Sequence, residues 1–172
     1  NISLKVAYIT GDDLMPRMDT LKEEGESFFN IDKNIPIDKS GCQTLTANAY
    51  LGAWGIKEAL DAGADIVVCP RVTDDAVVSG PAAWKVNWKR DDYDALAGAL
   101  AAGHIIECGC QATGGNYAFF KEVPSFDNVG YPIAEIKNDG SFYITKHPGT
   151  GGLVSTGTCL LYTSDAADDS GC

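Results

Sequence analysis

Three short stretches carry the side chains able to do chemistry. The first is Arg71-Val72-Thr73-Asp74-Asp75. Arg71 offers a planar fork suited to a carboxylate or phosphate, and Asp74 can orient it or act as a base. The alternative is structural: Arg71 pairs with a neighbouring carboxylate and Asp74 caps a helix. The second stretch, His104 to Asn116, holds His104, Glu107, Gln111, Thr113 and Asn116 among glycines. A His and a desolvated Glu both titrate near neutrality, so Glu107 with His104 can move protons. Alternatively, His104 extends the preceding helix and bonds a carbonyl at its end. Gln111 and Asn116 would contact a ligand brought close by Gly109, Gly114 and Gly115. The third stretch is Lys146-His147-Pro148-Gly149-Thr150-Gly151-Gly152. A Gly-rich turn entering a helix points N–H groups at an anion, and Lys146 and His147 add positive charge. A tight turn alone would account for its glycines. The stretch is neither a P-loop nor a dinucleotide fingerprint, and no GxSxG elbow occurs.

These stretches need elements to hold them. Leu4–Thr10 is a short β-rich apolar run followed by Gly11-Asp12-Asp13 and a helical spacing of Leu14, Met15, Met18 and Leu21. Asp12 or Asp13 is expected to cap that helix, with Pro16 in its first turn. Ala47–Gly63 reads as the best helix, capped by Thr46 or Asn48 and ended by Gly63. Ala64–Cys69 is a continuous apolar run, as in a parallel strand covered on both faces. A helix or two short helices, interrupted near Gly80-Pro81, are expected next. A further helix starts at Asp91 or Asp92 and stops at Gly103. Asn138-Asp139-Gly140 between two β-rich runs predicts a hairpin over 133–146. The expected fold class is therefore α/β: a fragment of a mostly parallel open sheet with covering helices, plus that hairpin. In such sheets ligands gather beyond the carboxyl ends of strands, where Thr10–Asp13 and Arg71–Asp75 would lie.

The charge balance narrows the partners. The chain has 172 residues and a net charge of −11. Nucleic acid and anionic membrane surfaces are disfavoured by that sign, and no apolar run is long enough to span a bilayer. A small-molecule substrate fits better. Cys42, Cys69, Cys108 and Cys110 form no CxxC pair and read as buried thiols in a reduced compartment, hence a cytoplasmic location. His104, Cys108 and Cys110 fall short of a zinc set, so neither a metal nor a cofactor is expected. A back-translation of Cys159–Asp169 matches the transposase-end adaptor used in sequencing libraries. We therefore read 159–172 as a non-native tail and 1–158 as one α/β domain fragment. Without the tail's Asp165, Asp168 and Asp169 the charge is −8.

The ordered motifs ANAYLGAWGIKEALDAGADIVV, RVTD, GPAAW, DALAGALAAGHIIECG, QATGGN, GYPIAEI, DGSF and ITKHPGTGGLVS resemble the acyclic terpene utilisation protein A (AtuA) family from about Leu4 to Thr158. The resemblance implies a central fragment, with a Gly-rich α/β start before Asn1 and a helix after the Gly-rich loop. It also implies a role in catabolism of acyclic terpenes such as citronellol and geraniol, whose intermediates travel as coenzyme A thioesters. Two positions depart from the family: Pro70 stands where Gly is expected, and Cys110 where a small residue is expected. The leading expectation is an enzyme or enzyme subunit of the lyase or hydratase type, acting on a branched carboxylic acid or its acyl-CoA. Arg71, Asp74, Gln111, Asn116, Lys146, Gly149, Thr150, Gly151 and Gly152 would bind substrate. Glu107, with His147 or His104, would handle protons. The alternative is a non-catalytic scaffold or accessory subunit, since the small residues of the Ala47–Ala62 segment would let subunits pack closely. Either way a homo-oligomer or pathway-enzyme complex is expected.

Overall fold

A computed structural model describes residues 2–41 and 43–163. The expected adaptor tail falls outside the described residues from 164 onward. The fold mixes helices with two small sheets. Strands β1 (Val6–Tyr8) and β2 (Ile66–Val68) pair in parallel with Val6 opposite Ile66. Strands β3 (Pro132–Ile136) and β4 (Phe142–Lys146) form the antiparallel hairpin anticipated around Asn138-Asp139-Gly140. Between β1 and β2 lie α1 (Met18–Glu23) and α2 (Trp54–Asp61). After β2 come α3 (Ala76–Val86) and α4 (Tyr93–Glu107), and α5 (Thr156–Thr163) follows the hairpin.

The helical core is built from small residues. Ala83, Trp88, Ala95 and Ala99 form a buried cluster, with Ile136 of the hairpin packed against it. Trp88 anchors the hairpin turn, its Nε1 donating to the Asn138 carbonyl at 2.8 Å. Gly140 has φ 84° and lies so close to α4 that a Cβ there would meet the Ala95 backbone. Only glycine satisfies both demands.

Four sequence expectations need correction. The helix expected from Ala47 begins at Trp54, because Ala47–Leu51 runs extended and hydrogen-bonds two loops instead. Pairing at the sheet's rim outweighs intrinsic helix propensity, which is worth only about 0–1 kcal/mol per residue. Gly103 does not stop α4. It is buried mid-helix where a Cβ would sit 3.0 Å from the Asp75 Cα, so the glycine permits the α3–α4 crossing. Helix α3 passes through Pro81 unbroken, with Ala76, Ser79, Gly80 and Ala83 buried along it. That packing offsets the hydrogen bond that proline cannot donate. Finally, β2 is not covered on both faces. Ala7 and Val67 are half-buried, while Val6, Tyr8, Ile66 and Val68 form an exposed apolar face.

Candidate functional site

The carboxyl ends of β1 and β2 open into a cleft of about 540 Å³ lined by Asp12, Asn48, Tyr50, Pro70 and Arg71. Three chain segments meet there. The segment Ala47–Leu51 is strapped on one side to the loop after β1: Leu14 N–H donates to the Ala47 carbonyl at 2.8 Å, and Ala49 N–H to the Asp12 carbonyl at 2.8 Å. On its other side, Leu51 N–H donates to the Arg71 carbonyl at 3.0 Å and Thr73 N–H to the Leu51 carbonyl at 2.9 Å. These bonds give the segment a two-residue period. Ala47, Ala49 and Leu51 turn inward, and Asn48 and Tyr50 outward to the cleft.

Asp12 ties the segments together through its side chain. Its Oδ2 accepts from Asn48 Nδ2 at 2.9 Å and from the Arg71 backbone N–H at 3.4 Å. Partial desolvation pushes this carboxyl up. The hydrogen bonds from Asn48 and the Arg71 N–H, with those of its own and the Asp13 N–H, outweigh that and hold it below the ordinary carboxylate value. Asp12 therefore caps no helix, contrary to the expectation. Asp13 makes the local turn bond instead, its Oδ1 accepting from Met15 N–H at 3.0 Å.

Arg71 is exposed, and its guanidinium lies over the Tyr50 ring, 5.4 Å from the centroid. Among the described residues no carboxylate forms an ion pair with it. The nearby Asp12 carboxylate is bonded to the Arg71 backbone rather than to its side chain. Stacking over a ring leaves the in-plane N–H donors of a guanidinium geometrically available. Beside it, burial pushes the half-buried Cys69 thiol up, which favours its protonated form. Asp74 is exposed and does not occupy the α3 N-cap, which is Asp75.

The other predicted site residues sit elsewhere, and none lines this cleft. His104 and Glu107 fall on the last turn of α4, and the Cys108 thiol donates to Glu107 Oε2 at 2.6 Å. Gln111 is exposed on a 3-10 turn (Gly109–Thr113), and Asn116 is exposed just beyond it. This turn packs against the Gly-rich loop, so the second and third stretches do come together. Buried Thr113 donates from Oγ1 to the Gly130 carbonyl at 2.6 Å, and the Thr113 carbonyl accepts from Leu153 N–H at 2.8 Å.

The Gly-rich loop spends its donors internally. Lys146 Nζ donates to the Thr150 carbonyl at 2.7 Å. Backbone N–H groups of Thr150, Gly151 and Gly152 donate to the carbonyls of His147, Asn128 and Ser125 at 3.4, 3.0 and 2.7 Å. At the start of α5, Ser155 Oγ accepts from Thr158 N–H at 3.2 Å. His147 and Gly149 remain exposed at the tip. Among the described residues no group of three or more His, Cys, Asp or Glu is placed to hold a metal ion, and no helix is long and apolar enough to cross a membrane.

A parallel β1–β2 pair joined through helices, with a cleft beyond its strand ends, makes this a protein of mixed α/β class. The model of the acyclic terpene utilisation family protein AtuA matches residues 1–163, and the chain belongs to that family. Both the match and α5 continue past Thr158. No curated protein and no solved structure matches the chain.

Proposed function

We propose that the protein acts in acyclic terpene catabolism, as an enzyme or enzyme subunit, on a branched carboxylic acid or its acyl-CoA. The observation that carries this reading is Arg71. A guanidinium facing a cleft at the carboxyl ends of parallel strands, with no protein carboxylate paired to it among the described residues, is a site for an anionic group. Arg71 binds the acidic end, Tyr50 supports the guanidinium, and the Asp12–Asn48 pair fixes the loop. Glu107, with His104 or His147, handles protons in a hydration, dehydration or cleavage step. Those residues lie outside the cleft lining, so catalysis needs a substrate long enough to reach from Arg71 toward the end of α4, or a closing movement. Gly149–Gly152, Thr150 and Lys146 would meet the same substrate only by exchanging their internal bonds, and Gln111 and Asn116 would contact it from the exposed turn. Asp74 would orient Arg71. The parallel pair would be part of a larger, mostly parallel sheet, the chain a single α/β unit over 1–158, and its location the cytoplasm. The test is to incubate the protein with citronellate and citronellyl-CoA and follow mass changes. Turnover that is lost in Glu107→Gln supports the reading. Absence of turnover, together with unchanged ligand binding in Arg71→Gln, refutes it.

A second reading is favoured by the exposed apolar face of Val6, Tyr8, Ile66 and Val68. Such a face on a parallel pair is normally covered. In this reading the chain is an accessory subunit that works within a homo-oligomer or pathway complex. Light scattering of the chain, alone and with pathway enzymes, distinguishes the two.

A further inference from the structure

Asp139-Gly140 is the one Asp-Gly pair in the chain, and no Asn is followed by Gly. A glycine after Asp leaves the side-chain carboxyl open to the next backbone nitrogen, because no Cβ stands in the way. We propose that Asp139-Gly140 is a site of spontaneous isomerisation to isoaspartate, held closed by the seating of the hairpin turn on α4. In the reaction the Gly140 nitrogen gives up its proton and bonds to Asp139 Cγ, while the Cγ–OH bond breaks and one water leaves. Water then opens the cyclic imide. Attack at Cγ restores aspartate. Attack at the main-chain carbonyl carbon leaves the backbone running through Asp139 Cβ and Cγ, with a free α-carboxylate. No oxidant, reductant or cofactor enters.

Three features of the folded turn hold the pair closed. The nucleophile is engaged: Gly140 N–H donates to the Lys137 carbonyl at 3.0 Å. The electrophile is engaged too. Asp139 Oδ1 accepts from Ser141 Oγ at 2.7 Å and from Ser141 N–H at 3.0 Å. Those bonds, with the Asp139 N–H and the Lys137 charge, outweigh a slight desolvation and hold this carboxyl below the ordinary value. They do so although Asp91, Asp92 and Asp94 line the same cleft. Ring closure expels the carboxyl oxygen as water, so the ionised form is the unreactive one. The third feature is rigidity. Ring closure must rotate the turn, yet Gly140 is buried at φ 84° with its Cα facing the Ala95 backbone, and the Asn138 carbonyl is tied to Trp88 Nε1 at 2.8 Å. The reaction therefore waits for a local opening in which the turn lifts from α4. Asp139 itself is exposed, so water reaches the imide. An isoaspartate inserts one more atom into the backbone where no Cβ fits against Ala95, so the altered turn cannot reseat and the Trp88–Asn138 bond is lost.

The test is to age the chain at neutral pH and physiological temperature, folded in buffer and unfolded in guanidinium chloride. Isoaspartate is counted by methylation with an isoaspartyl methyltransferase and labelled S-adenosylmethionine. It is located by tryptic mass mapping, since trypsin releases 138–146 as one peptide. The unfolded chain should accumulate isoaspartate in that peptide, and the folded chain at least about 10-fold more slowly. Ser141→Ala removes the Oγ bond at an exposed position and should speed the folded chain about 3- to 10-fold, with its circular dichroism unchanged. Trp88→Phe frees the turn without touching a partner of Asp139 and should speed it by a similar factor of about 3 to 10. The comparison of folded with unfolded wild type needs no variant. Equal rates in those two states overturn the proposal, as does isoaspartate confined to another peptide or absent from the unfolded chain. Wild-type rates in both variants overturn it as well, because neither the Ser141 bond nor the Trp88 anchor would then hold the pair closed.

Discussion

Gly140 and Gly149 make a matched pair for separating backbone strain from packing. Both have positive φ, 84° and 76°, so alanine at either must adopt the left-handed region. That costs about 1–2 kcal/mol. Their surroundings differ. Around a Cβ at Gly149 there is nothing within 4 Å, whereas at Gly140 the Cβ would press into the Ala95 backbone of α4. A backbone cannot rotate aside as a side chain can, so the hairpin turn must lift from the helix. Overpacking of this kind costs about 1–3 kcal/mol more. Gly149→Ala is therefore expected to lose about 1–2 kcal/mol and Gly140→Ala about 2–5 kcal/mol. Lifting the turn also strains the Trp88–Asn138 bond, so tryptophan emission should change in Gly140→Ala alone. Urea unfolding of the two variants, read by circular dichroism and fluorescence, measures the difference. Equal losses would mean that the turn does not rest on α4, and the proposed seating of the hairpin would be wrong.

Pro81→Ala restores a donor inside α3 and should stabilise the protein by about 1–3 kcal/mol in the same assay; a loss would mean the pyrrolidine ring makes packing contacts that outweigh the helix bond. Trp88→Phe leaves the Asn138 carbonyl without its donor and should cost about 1–3 kcal/mol, and no loss would mean that water replaces the indole N–H. The Asp12 carboxyl is held below its ordinary value in the folded chain, so the stability it contributes is present above the ordinary carboxylate range and is lost as pH falls through the lowered value. Denaturant unfolding from neutral to acid pH should show a shallower acid loss in Asp12→Asn, and superimposable curves would exclude that contribution.

What the sequence made legible follows from how local each signal is. The hairpin was readable because Asn138-Asp139-Gly140 fixes a turn between β-rich runs. Gly63, at φ 80°, ends α2 as a left-handed residue should. Arg71 follows β2 and lines the cleft there, a position that the end of an apolar strand marks in the sequence. Asn48 and Tyr50 were missed as cleft residues, since Ala47–Leu51 was absorbed into the helix that follows. Its alternation of small apolar with polar residues was the available signal, a period of two rather than 3.6. Gly103 misled for the opposite reason. Glycine after a helical run usually stops it, but this one is required by a neighbour, Asp75, that is distant in sequence. Asp12 looked like a cap because caps are local, while its partners Asn48 and Arg71 lie 36 and 59 residues away.

The central claim is that Arg71 receives the ligand's carboxylate. Covalent modification with phenylglyoxal, followed by peptide mass mapping with and without citronellate, tests it on the wild-type chain. The chain has only three arginines: Arg17, Arg71 and Arg90. Arg90 stacks on Trp54 at 4.7 Å and does not line the Arg71 cleft, and it serves with Arg17 as the internal reference. The account predicts that Arg71 reacts in the unliganded protein and is selectively protected as citronellate is added. Protection of Arg90 or Arg17 instead, or equal labelling of Arg71 at every ligand concentration, would contradict it.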